Sequence, residues 1–312
     1  MTLEIGNLTF FMFLPIALLG YFFLAIVAIS DKYILTSEKV RPIAFVFYSA
    51  FPVLVVFFLL PFYGQPFDFG KDFFVATVSG VSFTLALWAM YRGFLKSEVS
   101  HIGPLVGGSI PLFVLIFSSL FLAEYLTNSQ LFGVFLLSVG TLAVAFEYKK
   151  NHYELNSAML WGLVAAALFA VSHVSAKYLY NSYDFWTGFI WTRGIMGVFG
   201  AMLLVSPVLR RNLFKRTPPT KKTKIPARSL PIIVINKILA IVGVVLVQYA
   251  IALGSVTVIN ALAGVQYALL IILVFLLSRF WPKLFKEEYS KSEIIQEVGA
   301  IVLIGLGLAM IV

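Results

Sequence analysis

Apolar residues fill ten long runs, and polar residues collect in the short stretches between them. The runs are 11–33, 42–61, 73–91, 102–122, 129–147, 158–180, 185–206, 231–253, 256–278 and 294–312. Each is close to the roughly 20 residues that a helix needs to cross a hydrocarbon core about 30 Å thick. The pattern predicts ten transmembrane helices. Runs and connections take up nearly the whole chain, which leaves no room for a soluble catalytic or ligand-binding domain.

The ten runs read as two sets of five. Ser30-Asp31-Lys32-Tyr33-Ile34-Leu35 closes the first run, and Ser175-Ala176-Lys177-Tyr178-Leu179-Tyr180 closes the sixth, 145 positions later. Glu124-Tyr125-Leu126-Thr127 opens the fifth run, and Glu288-Tyr289-Ser290 opens the tenth. Five is odd, so a second copy enters the bilayer from the opposite face. The expected fold is an all-α membrane protein with ten transmembrane helices arranged as two inverted five-helix repeats. The first covers residues 1–150 and the second 151–312. Inverted repeats of this kind occur in transporters that rock one half against the other around a midplane site.

Composition agrees. Hydrophobic residues make up 61% of the chain and charged residues 12%, about half the charge of an average soluble domain. Mean hydropathy is +0.97. Residues 1–10 lack Lys and Arg, and the first run is long enough to span, so no separate signal peptide is expected. There is no cysteine, which excludes disulfides, thiolate metal sites and cysteine nucleophiles.

The net charge of +9 sits in the connections. Odd-numbered connections hold Lys32, Lys39, Arg41, Arg92, Lys96, Lys149, Lys150, a dense basic stretch in 207–230, and Arg279, Lys283, Lys286 and Lys291. Even-numbered connections hold Lys71 and Lys177. The positive-inside rule then places the odd connections in the cytoplasm and both termini outside. The expected location is the cell membrane, spanned many times, with the bilayer and its anionic lipids as partner rather than nucleic acid.

Local signals place helix ends and weak points. Thr127-Asn128-Ser129-Gln130 and Ser290-Lys291-Ser292-Glu293 both fit the S/T-x-x-E/Q capping box. Glu124 and Glu288, just before them, suit the positive end of a helix dipole, with a transport role as the alternative. Pro15, Pro52, Pro104 and Pro111 fall inside first-half runs. The fourth run, with Gly103-Pro104, Gly107-Gly108 and Pro111, is expected to be the most broken, through close packing or as a gate.

Polar residues at depth are the candidate chemistry. Arg193 lies nine residues into its run, roughly 13 Å deep at 1.5 Å per residue. No acidic residue lies at similar depth in any run, so Arg193 faces carbonyls, water or an anionic ligand. Lys237 is nearer a basic end and is expected to snorkel. His173 and Lys177 are spaced i, i+4 and share a face. A satisfied histidine is the ordinary case there, and a proton relay is the functional one. Asn260, Gln266 and Tyr267 lie on the ninth run, and Gln248 and Tyr249 on the eighth. Tyr91 corresponds to Tyr249 at an offset of 158, with Trp88 one turn before it. Amides with aromatics suit a small amphipathic solute, and interhelical hydrogen bonding is the structural alternative. There is no H-E-x-x-H, G-x-S-x-G or P-loop, so no metal site, cofactor, intramembrane hydrolase or self-contained ATP-driven pump is expected.

Ten helices in two five-helix repeats resemble the EamA-type branch of the drug/metabolite transporter superfamily. The segment Phe121-Leu122-Ala123-Glu124-Tyr125-Leu126-Thr127, followed by Leu131-Phe132-Gly133 and Gly140, looks like that family's Gly-Glu junction between helices four and five. Trp161-Gly162 resembles the Trp-Gly at the start of each repeat. Ala123 and Glu287 stand where the family has glycine, and the first half lacks the Trp-Gly pair. The resemblance implies a central cavity lined by helices three, four, eight and nine, with Trp88, Tyr91, Gln248, Tyr249, Asn260, Gln266 and Tyr267 as lining candidates. It implies a non-enzymatic secondary transporter, often an exporter of amino acids or other small metabolites. Members are generally drawn with both termini in the cytoplasm, whereas the basic connections here predict the opposite. A sugar-phosphate or nucleotide-sugar translocator is the second reading, with Arg193 and Lys237 converging on phosphate. A non-transporting scaffold or receptor, packed tightly at the midplane, is the third.

Overall fold

The structure, a computed structural model, describes residues 2–37, 46–47, 49–96, 99–145, 157–202, 204–205, 230–280 and 291–312. The basic 207–229 connection, the 147–152 junction and the Glu288-Tyr289-Ser290 start of the tenth run lie outside these residues, as do Lys39 and Arg41. Among the described residues there is helix and no strand. The helices are α1 (Thr2–Ser37), a 3₁₀ segment (Phe51–Leu59) running into α2 (Leu60–Tyr63), α3 (Lys71–Phe94), α4 (Val99–Phe121), α5 (Asn128–Ala145), α6 (Ser157–Ser182), α7 (Phe185–Met202), α8 (Leu230–Leu253), α9 (Val256–Ala261), α10 (Ala263–Phe280) and α11 (Lys291–Ile311).

Eight helices among the described residues are long and apolar enough to cross a bilayer, counting α9 and α10 together. Large side chains such as Phe58, Phe62, Ile241 and Val302 are exposed around them. In water such a surface would drive association, whereas against lipid tails it is the expected exterior. The chain is a multi-pass integral membrane protein.

Three runs differ from expectation. The second is not a regular α-helix over 42–61 but a 3₁₀ segment followed by one short α turn. Pro52 and Pro61 each remove an amide donor there. In 3₁₀ winding side chains three apart stack in line. Leu54 and Phe57, three apart in the segment, and Ala50 just before it meet Gly197, Gly194 and Gly200 of α7, where a Cβ would come within 2.6, 2.3 and 2.7 Å. The glycine-lined groove and the narrow helix fit each other.

The fourth run was expected to be the most broken, yet α4 is continuous through Pro104 and Pro111. The break falls in the ninth run instead, at Leu262 between α9 and α10. Asn260 Nδ2 donates to the Val256 carbonyl, the local competition with backbone that Asn brings to a helix. The Tyr21 hydroxyl donates to the Ile259 carbonyl at 2.8 Å, occupying the acceptor that a continuous helix would offer to residue 263.

Runs that the expected repeat would pair pack antiparallel where both are described. In α5 and α11, Ser129 Oγ donates to the Met310 carbonyl and Gln296 Nε2 to the Ala143 carbonyl, so contacts move down one helix as they move up the other. In α4 and the ninth span, Ser118 meets Thr257 and Gly103 meets Tyr267. The 3₁₀ segment and α7 follow the same rule through their ridge and groove. Two crosswise pairs do too. In α3 and α6, Asp72 meets Tyr178, Ser79 meets Ser172, and Trp88 meets Trp161. In α1 and α8, Phe13 lies at Gly254 and Leu24 at Gly243.

The connections sort to two ends. At one end the 2–3 connection meets the 6–7 connection where the Asp68 amide donates to the Tyr183 hydroxyl at 3.2 Å, and it meets the first turn of α7 where the Gln65 amide donates to Thr187 Oγ1 at 2.9 Å. There too, Lys177 Nζ donates to the Ala252 carbonyl at 3.1 Å beside the 8–9 connection. At the other end Lys96 Nζ donates to Ser157 Oγ, joining the 3–4 connection to the start of α6. Among the described residues the 2–3, 6–7 and 8–9 connections share one end of the molecule, and the 3–4 connection lies at the other.

The even end carries an aromatic cap. Phe67 stacks on Trp191 with centroids 4.8 Å apart. The Asp72 carboxylate accepts from the Tyr183 and Tyr178 hydroxyls at 2.6 and 3.1 Å. That bond to Asp72 holds the Tyr183 proton and pushes its ionisation above the usual tyrosine range.

At the start of α5, Thr127 and Gln130 form the expected capping box. The Gln130 amide donates to Thr127 Oγ1, and the Thr127 amide donates to Gln130 Oε1. Before it the chain turns through Ala123, whose φ of 50° is left-handed. This is the position where the family resemblance puts glycine, the residue that takes such a φ without a Cβ clash.

Candidate functional site

The deepest polar cluster is built by α3, α6, α7, α8 and α9. Arg193 on α7 is 5% exposed, and its guanidinium lies over the Phe83 ring of α3, 4.2 Å from the centroid. No acceptor among the described residues reaches its buried Nε. Such a cation is expensive to keep in a membrane interior. The Phe83 face offsets part of that cost. The remaining donor capacity is what an anionic group or water would satisfy.

Around it stand hydrogen-bonded pairs drawn from other helices. His173 Nδ1 lies 2.7 Å from Asn260 Oδ1. Because Asn260 Nδ2 is committed to Val256, its Oδ1 accepts and the histidine Nδ1 donates. Tyr180 donates to Gln248 Oε1 at 3.0 Å. Arg193 is within electrostatic reach of both His173 and Tyr180. Phe169 stacks against His173 and packs edge-on to Phe83. Asn260 sits two residues before the break between α9 and α10. Interrupted helices recur at transporter sites because they leave backbone groups that a cavity can use.

Of the residues singled out in the sequence, Arg193, His173, Gln248 and Asn260 come together. Tyr267 lies farther along, its hydroxyl on the Gly103 carbonyl at 2.7 Å and its ring over Gly107, where a Cβ would sit 2.3 Å away. Gln266 is half-buried beyond the break. Tyr249 stands apart at 38% exposure against the Phe185 ring. Trp88 and Tyr91 lie toward the odd end of α3. Trp88 packs edge-on to Trp161 under the Arg92 guanidinium, and Tyr91 packs against Phe94. Lys237 is exposed, and eleven residues separate it from Gln248, roughly 16 Å of helix. Lys177 lies one turn from His173 toward the even end.

Three members of this neighbourhood had no clear sequence signal as site residues. Phe83 is one phenylalanine among 31, and only the structure brings it under Arg193. Tyr180 shares the His173 face at i+7, a pattern that could have found it. Tyr21 is a hydroxyl in the middle of an apolar run, where a buried tyrosine usually finds an acceptor.

Comparisons with known proteins agree with this architecture. Residues 12–146 match the EamA-like transporter family, which bears out the resemblance seen at the junction before α5. No curated protein matches the sequence. A solved structure titled only "Crystal structure of protein" is similar with a TM-score of 0.62 and 14% identity, covering 94% of this chain and 98% of that one. At that identity the likeness bears on the fold alone. The matched segment, residues 12–146, is similar to a family of membrane transporters.

Proposed function

We propose that this chain is a secondary transporter of a small metabolite carrying a carboxylate or similar anionic group, such as an amino acid, and that it works as an exporter. Ten spans act as two inverted five-span repeats, and the halves alternate access to the site between them. The antiparallel packing of corresponding runs and the sorting of connections to two ends support that arrangement. Arg193 attracts the anion over Phe83, while Gln248, Asn260 and His173 orient the polar part of the solute. The observation that carries the reading is the buried Arg193 Nε without an acceptor, in a cluster whose members come from five different helices.

The sugar-phosphate reading asks for two cations converging on one group, and the exposed position of Lys237 weighs against that pairing. The scaffold reading has no use for a buried Arg193 Nε without an acceptor.

An untargeted screen of metabolites accumulated or exported on expression identifies the solute. Uptake of that solute into vesicles then compares wild type with Arg193→Ala and Gln248→Ala. The expected result is strong loss with Arg193→Ala and a smaller loss with Gln248→Ala. Equal uptake by all three would remove this site assignment, and a wild type that moves no metabolite would favour the scaffold.

A further inference from the structure

The antiparallel pair α3 and α6 carries a cation over aromatic rings at each end. At the even end the Lys71 ammonium lies over the Tyr178 ring, 4.9 Å from the centroid. At the odd end the Arg92 guanidinium lies over the Trp88 and Trp161 rings, 5.0 and 5.7 Å from their centroids. Twenty-one residues separate Lys71 from Arg92, roughly 31 Å of helix. That spacing matches a hydrocarbon core about 30 Å thick, so each cation stands at a headgroup level. Tryptophan is enriched at that level.

The two ends differ in charge. Beside Lys71, the Asp72 carboxylate accepts from the Tyr178 and Tyr183 hydroxyls, so that end carries its own anion. At the odd end Lys96 stands four residues after Arg92, and its Nζ donates to Ser157 Oγ at 3.0 Å. Both cations are exposed. Among the described residues no carboxylate pairs with either. The ammonium has three donors, of which Ser157 takes one, and a guanidinium resting on rings keeps its five N–H groups in its own plane. Arg92 and Lys96 are thus left with donors for one shared anion.

The surface that continues from them toward the midplane is apolar. Leu85, Trp88 and Arg92 are spaced i, i+3, i+7 along α3, and Ser157, Trp161 and Val164 are spaced i, i+4, i+7 along α6. Each set forms one helix face. The two faces meet where Trp88 packs on Trp161, centroids 5.2 Å apart. Leu85 and Val164, each three residues deeper than its tryptophan, are 38% and 46% exposed, and Leu160 is 55% exposed. From Leu85 to Arg92 the stripe is roughly 10 Å long. An apolar stripe ending in two cations at headgroup level matches a phospholipid, with its chain in hydrocarbon and its phosphate at the rim. A free anion would use the cations and leave the stripe without a role. Basic pockets between transmembrane helices recur as sites for anionic headgroups.

We propose that the outer face of the α3–α6 pair at the odd end binds one anionic phospholipid. Arg92 and Lys96 share its phosphate, Trp88 and Trp161 flank the glycerol level, and Leu85 and Val164 lie along an acyl chain. The site is separate from the Arg193 cluster and does not depend on transport.

The purified protein in detergent is titrated with phosphatidylglycerol or phosphatidylcholine, and native mass spectrometry resolves each bound lipid. Wild type should bind its first phosphatidylglycerol about tenfold or more tightly than phosphatidylcholine. Arg92→Gln and Lys96→Gln should each weaken phosphatidylglycerol about fivefold, the effect of one cation at a membrane surface. Lys71→Gln should leave it unchanged, because Asp72 already supplies the anion at that end. Millimolar glycerol phosphate should not displace the lipid. In nanodiscs, phosphatidylglycerol brominated on its acyl chains should quench tryptophan fluorescence more than brominated phosphatidylcholine does. Trp88→Phe/Trp161→Phe should remove that difference, a readout that needs neither cation variant to fold. Equal binding of the two lipids by wild type would overturn the proposal. So would a preference that survives in a folded Arg92→Gln/Lys96→Gln protein, or an equal loss in Lys71→Gln. Displacement by glycerol phosphate would mark a free-anion site instead and overturn the lipid assignment.

Discussion

The fourth and ninth spans pack antiparallel, yet their backbones behave in opposite ways. The fourth carries Pro104, Pro111 and the glycines 103, 107 and 108, and it stays one helix from Val99 to Phe121. The ninth has no proline and parts at Leu262. Sequence breakers did not decide the outcome, and external hydrogen-bond partners account better for it. The Tyr267 hydroxyl supports the proline-rich segment at Gly103, while Tyr21 and the Asn260 side chain occupy carbonyls in α9. A proline can be accommodated when neighbours satisfy the carbonyls it frees. A helix without proline can still end where its own acceptors are taken. Gly107 admits the Tyr267 ring, and Gly108 admits α5 at Ser138 and Leu142.

The largest expected effect tests that last statement. Gly107→Val places side-chain atoms where the Tyr267 ring lies and should cost about 2–3 kcal/mol through overpacking, read as a lower unfolding temperature in detergent. A neutral result would mean that Tyr267 does not pack there. Next, Asn260→Ala removes the partner of His173 and the local competition in α9. It should destabilise by about 1–2 kcal/mol, the range for a buried group left unpaired, while hydrogen exchange slows at residues 262–265 as the helix becomes more continuous. Faster exchange at the break would contradict the account of its origin.

Ala123→Gly should act in the opposite direction. The left-handed φ of 50° penalises a Cβ by about 1 kcal/mol, so the variant should unfold at a higher temperature. The smallest effect belongs to Tyr21→Phe, which loses one interhelical hydrogen bond, worth about 0.6 kcal/mol on average in membranes. Its informative readout is exchange at the Leu262 break. No change there would remove Tyr21 from the explanation.

The same contrast explains what could be read in the sequence. Long apolar runs specify spans because a bilayer leaves few alternatives to helix, and most of the runs appear as helices near their expected limits. The Thr127–Gln130 capping box was legible because its chemistry is local. The second run was not, since 3₁₀ winding over Phe51–Leu59 depends on a glycine groove supplied by α7, far away in sequence. The break at Leu262 was hidden for the same reason, because Tyr21 comes from α1. In the site, Arg193, His173, Gln248 and Asn260 stood out as polar residues in apolar surroundings. Phe83 did not, because an aromatic in a membrane helix carries no mark until a cation is seen above it. Tyr249 and Trp88 fit a compositional idea of a solute site, but their neighbours are Phe185 in one case and Trp161 with Arg92 in the other.

The central claim is that a solute binds where Arg193 faces the hydrogen-bonded pairs beside the ninth-span break. The most direct measurement is equilibrium binding of the metabolite identified by the screen to purified wild type and Arg193→Ala, with both proteins checked for folding by thermal unfolding. A charge-assisted contact is worth about 1.5–3 kcal/mol, so the account predicts that Arg193→Ala binds roughly 10- to 100-fold more weakly while remaining folded. Unchanged affinity in a folded Arg193→Ala protein would contradict it.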